Sequence, residues 1–198
     1  MNWLTFAIAT YLLLLLQVGL RGLFDFNITA IEGAEPNLLL ILMVFIAMVA
    51  PLHTSLWAAL ILGLLADLEQ RQALVVAGDE PMHAVLVGPW ALAFIAAAYV
   101  VLQMRGVVYR NSPLAFALTV FIAGMGLYLV HIAVLSIRGL PFLPGEAVAG
   151  WSATQELVGA FLNLVYSALI ALLLHLPLRS SERLWRFRIP TGPARRAV

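Results

Sequence analysis

From Pro36 to Ala66 the chain runs without a formal charge, and the run is broken once, at Pro51-Leu52-His53-Thr54. No other stretch limits the fold so strongly. A membrane-crossing helix needs about 20 apolar residues to traverse roughly 30 Å of hydrocarbon. One helix over the whole run would be about 46 Å long, whereas two would be only about 22 Å and 20 Å. Pro51 removes a helical donor and clashes with the preceding turn, and His53-Thr54 supply turn and cap chemistry. The run therefore predicts two short helices, the second reaching Asp67 or Leu68. A single broken span is the alternative.

Four further stretches have spanning length: Trp3–Leu20, Ala84–Met104, Pro113–Ile137 and Leu157–Leu178. With the pair above they predict an all-α, polytopic membrane bundle of six helices, or five if the Pro51 break lies within one span. Composition agrees. The sequence is 63% hydrophobic and 11% charged, with a mean hydropathy of +1.00, whereas soluble domains are roughly a quarter charged. Residues 1–178 are expected to form the membrane domain and residues 179–198 an Arg-rich cytoplasmic tail. Met1-Asn2-Trp3 has no basic region before the apolar residues, so the first segment is expected to stay as an anchor.

All eleven basic residues are Arg. In the six-helix arrangement Arg21, Arg71 and Arg138 share one side. Arg105, Arg110, Arg179, Arg183, Arg186, Arg188, Arg195 and Arg196 share the other. Cytoplasmic loops carry the excess of Arg, so both termini are expected in the cytoplasm and the loop after Asp67 outside. A five-helix count moves only Arg21 and the N-terminus. Asn111-Ser112-Pro113 reads as a capping serine before a first-turn proline. Ser152 and Gln155 have capping-box spacing before the last helix.

Four-residue steps back from Asp67 give Gly63, Ala59 and Ser55. Small residues at this spacing let membrane helices approach closely, so this face predicts a packing groove that ends in an interfacial carboxylate. Glu69 would point to a different face, which leaves Asp67 without the second carboxylate that catalysis would need. The last helix carries a similar stripe, Gly159, Asn163, Ser167 and Ala171. Asn163 and His131 are at comparable depth on neighbouring helices and are expected to meet, with Gln17 at the same level. That level is either a satisfied interhelical contact or a polar pocket in the outer half of the bundle.

Cysteine is absent, which excludes disulfides and thiolate metal sites. The histidines, His53, His83, His131 and His175, are scattered and form no metal-binding pair. No phosphate loop, nucleophile elbow or paired-carboxylate motif is visible. No metal, cofactor or catalytic group is expected, and the chain reads as a non-enzyme. The tail mixes Arg with Trp185 and Phe187, as expected of a segment lying against an anionic leaflet.

The segment Glu35–Leu68 resembles the signature of the rod shape-determining protein MreD family. Pro36-Asn37, an aliphatic run, the break at Pro51 with His53, and the small-residue helix ending in Gly63 and Asp67 carry the resemblance. The Arg110-Asn111 pair between the fourth and fifth helices also fits. The loop from Glu69 to His83 is longer and more acidic than the family pattern. The resemblance implies a non-catalytic component of the machinery that builds the lateral cell wall in the bacterial inner membrane. Its expected partner is MreC and, through it, RodA with its penicillin-binding transpeptidase and MreB. Asp67 would then help hold a partner at the outer surface. MreD helices are also similar to the substrate-binding subunits of energy-coupling-factor transporters. Such a transporter subunit is therefore the alternative, with its ligand near Gln17, His131 and Asn163.

Overall fold

The structure is a computed structural model, and it describes residues 1–19, 35–69, 72–75, 82–84, 87–106, 112–138, 147–148 and 153–185. Among these residues, six helices of two turns or more make up the bundle: α1 (Trp3–Gly19), α2 (Leu38–Val49), α3 (Leu52–Glu69), α4 (Pro89–Met104), α5 (Pro113–Arg138) and α6 (Ala153–Ser180). A short α7 (Glu182–Trp185) follows. Three of them, α3, α5 and α6, are long and apolar enough to cross a membrane, while α1, α2 and α4 are shorter apolar helices.

At the centre is α2. Its residues Leu38 to Met48 are all buried, as expected for a helix that is hydrophobic all round. It contacts α1, α3, α4, α5 and α6. Asn37 starts the helix, its Oδ1 accepting from Leu40 N at 2.9 Å. At the other end Ala50 turns to extended backbone and Pro51 cannot continue the helix. The Pro51 break therefore separates two antiparallel helices, as the six-helix arrangement requires.

Hydrogen bonds at both ends show that successive helices alternate in direction. Gln17, near the end of α1, bonds both Leu38 N at the start of α2 and Glu69 at the end of α3. Arg105 at the end of α4 donates from Nη1 to Ala50 O at 3.0 Å, meeting a carbonyl that has no partner within α2. Asn2 N donates to Trp185 O at 2.9 Å, which puts the start of α1 beside α7. The bundle thus has a tail end, with Asn2, Ala50, Arg105 and α7, and a sheet end on the opposite side.

The sheet end takes its name from three short strands outside the bundle: β1 (Gln72–Val75), β2 (Met82–Ala84) and β3 (Ala147–Val148). They pair antiparallel in the order β2-β1-β3. Gln72 lies opposite Ala84, and Leu74 opposite both Met82 and Val148. The loop after α3 is thereby joined to the loop between α5 and α6. Ala84, expected at the start of a helix, is in β2 instead. The helix begins at Pro89, after Gly88 with φ +127°, a backbone conformation natural to glycine.

The other boundaries follow local chemistry. Ser112 Oγ accepts from Ala115 N at 3.4 Å, with Pro113 opening α5. The Ser152 capping box lies outside the described residues. Helix α6 continues through Pro177 to Ser180, past the expected start of the tail at position 179. Trp185 is buried against Phe45, with ring centroids 5.6 Å apart. The chain thus packs with the bundle as far as residue 185, and the remainder of the expected tail lies outside the described residues.

Candidate functional site

Gly63 and Asp67 act on the same turn of a neighbouring helix. Asp67 is buried, and its carboxylate accepts three backbone N–H groups at the start of α4. Gly88 N and Ala91 N donate to Oδ2 at 2.9 and 3.2 Å, and Trp90 N donates to Oδ1 at 3.0 Å. The first N–H groups of a helix have no internal partner, and Gly88 at the cap position has no side chain to supply one. Asp67 supplies that cap from α3. A negative charge at this end also complements the helix dipole.

Gly63, one turn earlier, makes the approach possible. A Cβ there would lie 2.5 Å from Ala91 Cα and 2.9 Å from Trp90 O. Ala59 and Ser55 continue the same buried face. The expected packing groove is therefore present, and its partner is α4. Asp67 itself is 1% exposed, with both oxygens engaged in the bundle. An exposed carboxylate at the lipid–water boundary would leave the start of α4 uncapped within it.

The polar level expected from Gln17, His131 and Asn163 divides in two. Gln17 and Asn163 gather round the start of α2. Gln17 Oε1 accepts from Leu38 N at 3.1 Å, Asn163 Oδ1 from Glu35 N at 2.9 Å, and Ser167 Oγ from Asn37 N at 2.8 Å. Side chains from α1 and α6 thus satisfy the backbone leading into a buried helix, where an unpaired donor is costly. Pro36 is also buried here, and it carries no N–H to satisfy.

His131 does not meet Asn163, contrary to the expectation. Its ring lies against Trp90, with centroids 4.2 Å apart, and Tyr128 on the same helix meets Trp90 edge-on at 5.7 Å. Equal depth placed His131 and Asn163 at one level but did not set which way each faces around its helix. Trp90 Nε1 and His131 Nδ1 are both buried without a partner. Trp90 and Tyr128 are the site residues that the sequence did not single out for this contact. Trp90 had a signal, because an aromatic immediately after a helix-starting proline faces the first turn that Asp67 holds.

At the tail end, Pro51 is half-buried and His53 is exposed. Ser55 Oγ donates to Pro51 O at 3.2 Å, which steadies the first turn of α3. No group of three His, Asp or Glu residues that could hold a metal comes together among the described residues. No family model, curated protein or solved structure matches the chain.

Proposed function

We propose that this chain is a six-span scaffold of the bacterial inner membrane, similar to MreD, that binds an MreC-like single-span protein and supports wall-synthesis enzymes. One observation carries this reading. Asn37, Gly63 and Asp67, the residues on which the resemblance rests, each build the α2–α3–α4 unit rather than line a reactive cleft. A signature made of caps and close approaches fits a protein whose product is its own shape.

The bundle's exterior supports the membrane setting. Leu12 and Leu15 on α1, Leu118 and Leu129 on α5, and Leu169 and Leu173 on α6 are all more than half exposed. Lipid accepts such a surface, whereas water penalises it. The alternating helices suit six crossings, with α2 kept from lipid by its neighbours and α1 and α4 shorter than the usual length. The tail end, which carries Arg105 and Arg179, would face the cytoplasm.

The transporter alternative would place a ligand near Gln17 and Asn163, but both already serve the backbone before α2. The deciding experiment is mass spectrometry of whatever co-purifies with the tagged chain from native membranes in mild detergent. An MreC-like protein with a glycosyltransferase and transpeptidase is the expected result. Recovery of paired ATPases with a second membrane subunit would overturn it.

A further inference from the structure

The outer faces of the bundle differ in length. Helix α4 has 16 residues between Gly88 and Arg105, about 24 Å. Local structure sets both of its ends: Gly88 turns at φ +127°, and Arg105 is held on Ala50 O. Helices α5 and α6 have 26 and 28 residues, about 39 and 42 Å. A helix too long for its bilayer can tilt. One too short leaves the lipid to adjust.

Side-chain chemistry marks the same difference. Trp57 on α3 and Tyr99 on α4 are more than half exposed. Each is about a turn and a half from the tail-end tip of its helix. His53 and Gln103, also exposed, lie beyond them toward that tip. Exposed aromatics with polar groups beyond them are the pattern of a membrane–water interface. On α5 and α6 the apolar surface instead runs on toward the tail end through Leu114, Leu173 and Leu176, all exposed. Helices α3 and α4 pack together, so the polar boundary is drawn inward along one joint face.

We propose that the α3–α4 face thins the bilayer beside it, by about 6 Å or more against roughly 30 Å of hydrocarbon. Its partner is a lipid surface whose tail-end interface dips to the level of Trp57 and Tyr99. Lipids with shorter acyl chains meet that face with less mismatch. The inference rests on the six-crossing membrane placement and is independent of any wall-synthesis partner.

Single thiols are introduced into the full chain, which has no Cys, and each variant is reconstituted in dioleoylphosphatidylcholine vesicles. A spin label on the thiol reports depth through its access to oxygen and to a water-soluble nickel chelate. Val87→Cys and Gln103→Cys, about 24 Å apart, should both read at the aqueous interface. Leu118→Cys and Ala133→Cys on α5, about 22 Å apart, should both read inside the hydrocarbon. All four positions are exposed, so the labelled chains should elute as the parent does on size exclusion. A hydrocarbon reading at Val87→Cys or Gln103→Cys would overturn the proposal and leave the six crossings standing. A label on Leu92→Cys that neither probe reaches would also overturn it, because protein rather than lipid would cover the face. Val87→Cys and Gln103→Cys labels reached from the same side of the vesicle would overturn the six-crossing placement, and the proposal with it.

Discussion

Asp67 reaches from one helix to cap another, and the cost of losing it can be argued from the three N–H groups it holds. Asp67→Ala leaves these donors buried with no acceptor. A lost cap costs about 0.5–2 kcal/mol and an unsatisfied buried group about 1–3 kcal/mol. Asp67→Ala is therefore expected to destabilise the bundle by about 2 kcal/mol or more, measured as a lower unfolding temperature in mild detergent. Asp67→Asn keeps one oxygen and should fall between the two. Gly63→Ala forces Ala91 and Trp90 backbone atoms to move, an overpacking that costs about 1–3 kcal/mol. Both changes disturb the first turn of α4, so the double variant should lose less than the sum. Strict additivity would mean that the two residues do not act on one contact. Asp67 and Gly63 were legible in sequence as a packing pair. Their partner was not, because the groups that Asp67 binds are backbone N–H groups and leave no side-chain signature.

At the scale of the element, α2 depends on its surroundings more than on itself. Twelve residues make a helix of about 18 Å, shorter than isolated helices that persist alone. Its start is held by Gln17, Asn37, Asn163 and Ser167. Asn37→Ala should cost about 1 kcal/mol as an ordinary cap, and Asn163→Leu should cost at least as much by stranding Glu35 N. Paired with His131→Ala, Asn163→Leu should show no coupling, since His131 packs on Trp90 instead. A coupling above about 0.5 kcal/mol in a double-mutant cycle would contradict the geometry. Helix positions were legible because apolar runs and prolines are local signals. The rotation of His131 and Asn163 about their axes was not, since it is set by α2 packing against both α5 and α6. The strands β1 to β3 are too short for alternation to register.

Across the whole molecule, the contact between Asn2 N and Trp185 O ties the start of α1 to the end of the bundle. Thr5 Oγ1 adds a second tie, donating to Leu184 O at 3.4 Å. Charge counting alone left five helices open against six, because only Arg21 and the N-terminus changed sides. Both ends of the described chain share one face of the bundle, and on that ground we propose an even number of passes, six. The absence of Cys makes the membrane version of this directly testable with single introduced thiols. Asn2→Cys and Ser181→Cys should react with an impermeant maleimide only in inverted vesicles, whereas Thr154→Cys, exposed at the sheet end, should react in intact cells. Labelling of Asn2→Cys from outside would place α1 in the opposite direction and break the pairing of Gln17 with both Leu38 and Glu69. That pairing needs the end of α1, the start of α2 and the end of α3 on one side, so one labelling result tests the whole alternation.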